Sequence, residues 1–122
     1  MQFIRKVLCW IFACTSFLYL ENFHQVILYM IHQDYAPSVL RSLLIAASFD
    51  ILVAGISGVA WWTIWKGVTS ARGWAVAASA IHILIFLRQF IIRSRPVWGH
   101  HVGALIIGIV GLVTFMWRDK HL

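Results

Sequence analysis

The chain has 122 residues, of which 61% are hydrophobic and 11% charged, with a formal net charge of +6. A soluble domain of this length cannot hide so much apolar surface, and the mean hydropathy of +0.84 names a bilayer as the solvent. The apolar runs are continuous rather than alternating, which excludes a transmembrane β-barrel, and the basic residues fall on both sides of the implied membrane, which excludes nucleic acid as a partner.

A membrane-crossing helix needs about 20 mostly apolar residues, and four stretches qualify. The sequence therefore predicts an all-α polytopic membrane protein. Its four transmembrane helices, over about 3–20, 43–65, 74–92 and 97–117, form an up-down-up-down bundle in one domain spanning 1–122, with a short interfacial helix over about 21–34.

The first span follows Arg5 and Lys6, as a secretory signal would, and Ile11 to Cys14 ("IFAC") loosely matches a lipoprotein cleavage box. Bulky Phe12 stands where such boxes take a small residue, so the segment reads as a retained span. Cys9 and Cys14 are five residues apart on one helix, which suits neither a CxxC motif nor a disulfide, and both read as buried apolar thiols. In "ENFHQVILYMIHQ" (Glu21 to Gln33), Phe23, Val26, Ile27 and Met30 recur at helical spacing among polar residues. This predicts a continuation of the first helix that lies in the interface. A second alignment, with the span at Val7 to Ile31, would place Glu21, His24 and Gln25 inside the membrane at considerable cost.

Pro37 predicts a turn near Tyr35 to Ser38, and Gly67 ends the second span, after which Ser70 is placed to cap the third helix. Asp50 lies seven residues inside the second span, about 10 Å deep, and Arg88 four residues inside the third, about 6 Å deep. Their similar depth predicts an interhelical ion pair, since an unpaired charge there costs a few kcal/mol or more. The other reading of Asp50 is a proton or cation site, or a contact with a partner subunit. Ser79, His82, Phe86, Gln89 and Arg93 share one side of the third helix, and that stripe is expected to face protein or water.

The stretch "RSRPVWGHH" (Arg93 to His101) reads as a capped hairpin in which Ser94 caps, Pro96 sits in the first turn and Val97 opens the fourth span. Side chains of the adjacent His100 and His101 diverge by about 100°, so they cannot chelate as an i, i+4 pair would. Gly99, Gly103 and Gly111 form one stripe of the fourth span, with Ala104 and Gly108 spaced by four beside it. "AGISGVA" (Ala54 to Ala60) and the Ala71, Ala75, Ala78, Ser79 series supply further small-residue faces. These form the expected helix-packing interface, within the chain or with a partner.

Near the span ends, Arg5, Lys6, Lys66, Arg72, Arg118 and Lys120 lie on the side of the amino terminus, and Arg41, Arg93 and Arg95 lie opposite, with Arg88 slightly inside. This bias predicts cytoplasmic termini, in a bacterial cytoplasmic membrane. Trp61, Trp62, Trp65, Trp74 and Trp117 gather at one interface; Tyr19, Tyr29, Tyr35 and Trp98 gather at the other.

No phosphate loop, nucleophile elbow, paired catalytic carboxylates or metal-ligand spacing is present, so neither an enzyme nor a cofactor is expected. Size and span count are similar to those of the small multidrug resistance transporters, but the carboxylate they carry midway along the first helix has no counterpart in "CWIFACTSF". The glycine and arginine motif of the dual-topology fluoride channels is likewise missing from the first span. Two functions are left. The first is a non-catalytic helper or structural subunit that packs with itself or a larger membrane complex, in contact with anionic lipid headgroups. The second is a small proton-linked transporter or channel using Asp50, with Arg88 and His82 along the path.

Overall fold

A computed structural model describes residues 2–93 and 100–117. Ser94, Arg95, Pro96, Val97, Trp98, Gly99, Arg118 and Lys120 lie outside the described residues, and with them the expected hairpin and the start proposed for the fourth span. All regular structure among the described residues is helical: α1 (Gln2–His32), α2 (Pro37–Lys66), α3 (Ala71–Arg93) and α4 (His100–Trp117). By length and composition α1, α2 and the Ala71–Arg88 part of α3 are able to cross a membrane, whereas the apolar part of α4, Val102–Met116, is shorter. Three such helices suggest a membrane-embedded protein.

α1 is one unbroken helix of 31 residues. No separate interfacial helix follows the first span, because neither glycine nor proline occurs before Pro37 and nothing interrupts the backbone ladder. Along the segment expected to lie in the interface, Glu21, His24 and Gln25 are exposed, while Phe23, Val26 and Ile27 are half-buried. α2 begins six residues before the expected span, with Pro37 in its first turn, where a missing N–H costs nothing. It ends at Gly67, whose φ of 68° is left-handed. There the N–H of Gly67 donates to the Ile64 carbonyl and that of Val68 to the Thr63 carbonyl, a Schellman closure that satisfies two otherwise orphaned acceptors. Ser70 precedes α3, and its carbonyl accepts the Trp74 N–H.

Helices adjacent in sequence pack against one another, while α1 and α4 touch sparsely. Between α1 and α2, the Cys9 thiol points at the Trp61 carbonyl, Ser16 donates to the Ala54 carbonyl at 2.8 Å, and the Tyr19 ring meets Phe49 edge-on. Between α3 and α4, Arg72 Nε donates to the Phe115 carbonyl at 2.9 Å. The interior is built from small side chains, Ala54, Ala60, Ala75, Ala78, Ser57 and Ser79, around a few larger ones such as Phe12, Val53 and His82. The large apolar residues Phe3, Phe17, Ile45, Trp62, Leu84 and Ile106 point outward. This inverts the usual arrangement of a water-soluble protein, in which exposed apolar patches stay small.

Candidate functional site

His82 is 2% exposed, in the middle of α3. Its Nδ1 lies 2.7 Å from the carbonyl oxygen of Ala78, one turn back, and its Nε2 lies 3.0 Å from Thr15 Oγ1 on α1. A carbonyl can only accept, so Nδ1 carries the proton; in the neutral ring Nε2 then accepts from the Thr15 hydroxyl. The Phe12 ring stands 5.5 Å away and closes one side of the imidazole. Ser79, three residues earlier, donates to the Ala75 carbonyl at 2.8 Å. The expected stripe therefore faces protein at both Ser79 and His82. Gln89 is on α3, but its side chain lies outside the described residues.

Asp50 is 8% exposed and has no hydrogen bond or ion pair among the described residues. The direct pair expected with Arg88 is not formed. The Arg88 guanidinium lies instead over the Phe49 ring, 4.5 Å from its centroid. Successive helical residues point about 100° apart, and the arginine stacks on Phe49 rather than bonding the next residue's carboxyl. The Tyr19 ring and the Arg88 guanidinium both pack on Phe49, so Tyr19, Phe49 and Arg88 form one cluster drawn from three helices, next in sequence to Asp50.

The glycine face differs in detail from expectation. A methyl built on Gly108 would stand 2.5 Å from Ile83 Cγ1 and 2.8 Å from the Ser79 carbonyl oxygen, and one built on Gly111 would collide with the Ser79 side chain. Gly103 meets nothing within 4 Å, so among the described residues it does not serve close approach. Ala104 is buried against Val53, Ile81 and Ile85, while Gly99 lies outside the described residues.

Where α1 passes α3 and α4, a cleft of about 670 Å³ opens, lined by Trp10, Cys14, Thr15, Tyr19, His82 and Ala104 among others. That is the size of a small-molecule pocket. The cleft exposes Cys14, contrary to the expectation that both thiols are buried; Cys9 is enclosed between α1 and α2. A second, more polar cavity of about 600 Å³ lies at the start of α1, with Gln2, Arg5, Trp65 and Gly67 in its wall. Lys6 and Trp10 line both cavities. Trp10 also meets Trp65 edge-on at 5.5 Å.

Sequence reasoning did not find Thr15. The signal was the adjacent hydroxyl pair Thr15 and Ser16 in an otherwise apolar span, since hydroxyls at that depth serve as interhelical donors. Among the described residues no three of His, Cys, Asp and Glu converge on a point where a metal ion could sit. Comparison of the chain with protein-family models, with curated proteins and with solved structures finds no match.

Proposed function

We propose that the chain is a small integral membrane protein of non-catalytic type, a helper or structural subunit whose helices form an up-down-up-down bundle and pack with another copy or a larger membrane complex. The observation that carries this reading is the inversion of core and surface: small residues inside, with the Thr63 and Ser79 hydroxyls bonded to their own helices, and large apolar side chains outside. Lipid gives helices no hydrophobic reason to associate, so small residues that let backbones approach must supply the attraction. Gly55 and Gly103 stay open, with nothing within 4 Å of an added methyl, and offer such an approach to a helix from outside.

The start of α1, the end of α2 and the start of α3 collect Arg5, Lys6, Lys66 and Arg72, which supports a cytoplasmic position for that end. Lys66 packs over Trp62 at 4.8 Å, an arrangement suited to an interface. With Ser38→Cys in a background lacking both native thiols, an impermeant thiol reagent added outside intact cells should label the protein. Labelling only after lysis would reverse the orientation.

Native mass spectrometry of gently solubilised material tests the central reading. An assembly heavier than the 14.0 kDa chain, lost in Gly103→Leu while the helices stay folded, is the expected result. A monomer under all mild conditions would overturn it.

The second reading, a proton-linked transporter, is favoured by one observation: the buried carboxyl of Asp50 is not held by any direct partner among the described residues. Reconstituted vesicles carrying an internal pH dye distinguish the two. Proton flux abolished by Asp50→Asn would replace the helper reading with transport.

A further inference from the structure

The two cavities have complementary characters and a shared wall. The cleft between α1 and the α3–α4 pair is mostly apolar, with Lys6 toward the start of α1, the Thr15–His82 contact farther along, and Leu18 and Tyr19 beyond it. The other cavity, at the start of α1, is of mixed character, with Gln2, Arg5 and Lys6 beside Trp65 and Val68. Lys6 and Trp10 border both, so an elongated molecule with an anionic head and an apolar tail meets matching surface along its length. From Lys6 to Thr15 is nine residues of helix, about 14 Å at the helical rise, and one leaflet of a bilayer core is about 15 Å thick. An acyl chain whose headgroup sits at Lys6 therefore reaches the level of Thr15 and His82 and stays within the cleft, whose wall continues to Tyr19.

We infer that these cavities together form a binding site for one anionic phospholipid, with its phosphate at Lys6 and one acyl chain in the cleft. The long lysine stem lies along the apolar wall while its ammonium turns back to the headgroup level, as lysines near helix ends do. Trp10 stands at the junction, where an amphipathic ring suits both halves. In this arrangement the lipid fills the seam that α1 and α4 leave open, and the site completes the bundle. The inference rests on the membrane placement proposed above, not on the helper role.

The test uses the full chain in nanodiscs of mixed phosphatidylcholine and phosphatidylglycerol, followed by native mass spectrometry of lipid retained after release. Wild type should keep one phosphatidylglycerol in preference to phosphatidylcholine. Lys6→Gln should weaken retention about fivefold, the contribution of one basic residue to an anionic lipid. Cys14→Trp, a plug at an exposed cleft position that leaves the core untouched, should abolish it. Lys66→Gln removes the same charge at the same end without lining either cavity and should change nothing.

Equal retention of both lipids, or retention that survives Cys14→Trp, would overturn the site. Equal losses for Lys6→Gln and Lys66→Gln would reduce it to general attraction between charges and overturn it too. Disulfide cross-linking through Cys14 of two copies would show a second chain in the cleft and have the same consequence. Failure to enter nanodiscs at all would instead overturn the membrane placement, and this inference with it.

Discussion

α4 meets α3 and α1 on very different terms. Toward α3 it presents Gly108 and Gly111, and the backbones come so close that a single added methyl would collide with Ser79 or Ile83. Toward α1 it presents Ala104 and Ile107, across a cleft wide enough to hold an apolar chain. α1 has no glycine with which to answer; its facing residues include Trp10, Ile11, Thr15 and Leu18. Small residues let helix backbones approach closely; Gly108 and Gly111 do so against Ser79 on α3, whereas toward α1 the wall is dominated by Trp10, Ile11 and Leu18. The difference teaches that a four-helix chain need not close its ring. Where one pair is drawn together by backbone approach, the opposite seam is left for lipid, a partner or a polar bolt.

The largest expected effect comes from breaking the tight side. Gly111→Leu should lower stability by about 1 to 3 kcal/mol or more, the cost of overpacking a filled contact, seen as a drop in melting temperature in detergent. A neutral result would mean that α3 and α4 are not held at this distance. Next comes the bolt across the open side. Thr15→Val removes the hydroxyl that His82 Nε2 accepts from and should cost about 0.6 to 1.7 kcal/mol, the range for hydrogen bonds between membrane helices. His82→Asn should show a similar loss, and the double change should cost less than the sum of the two, as expected of one shared contact. Additive losses would remove the contact.

Asp50→Asn is expected to be milder still, within about 1 kcal/mol, because no direct ion pair is broken. A loss of about 3 to 5 kcal/mol, rescued by Arg88→Gln, would show that the pair forms after all. The smallest effect belongs to Gly103→Leu, within about 0.5 kcal/mol for the isolated chain, since the new side chain enters open space. Its contrast with Gly111→Leu is the sharpest single measure of the two sides of α4, read from paired melting curves. Equal losses would place both glycines in tight contacts.

Composition pointed to a lipid solvent, as three long apolar helices also suggest, and local punctuation decided the elements. Pro37 opens α2, Gly67 closes it in the left-handed conformation, and uninterrupted apolar runs propagate as helices, because these effects act within a turn or two of the residue concerned. The buried position of His82 and Ser79 was legible for the same reason: a polar stripe on an apolar helix must face protein or water. Rotation of each helix about its own axis was not legible. Large apolar residues surround these helices, lipid is as good a neighbour for them as protein, and hydrophobic periodicity loses the contrast that would set an azimuth. Tertiary packing therefore decided that Gly108 and Gly111, not Gly103, meet α3. It decided that Arg88 stacks on Phe49 rather than pairing with Asp50, that His82 finds Thr15, and that Cys14 looks into an open cleft. Each of these turns on how a helix is rotated, at what height it meets its neighbour and which rotamer a side chain takes, which helical spacing leaves free and only contact between helices fixes.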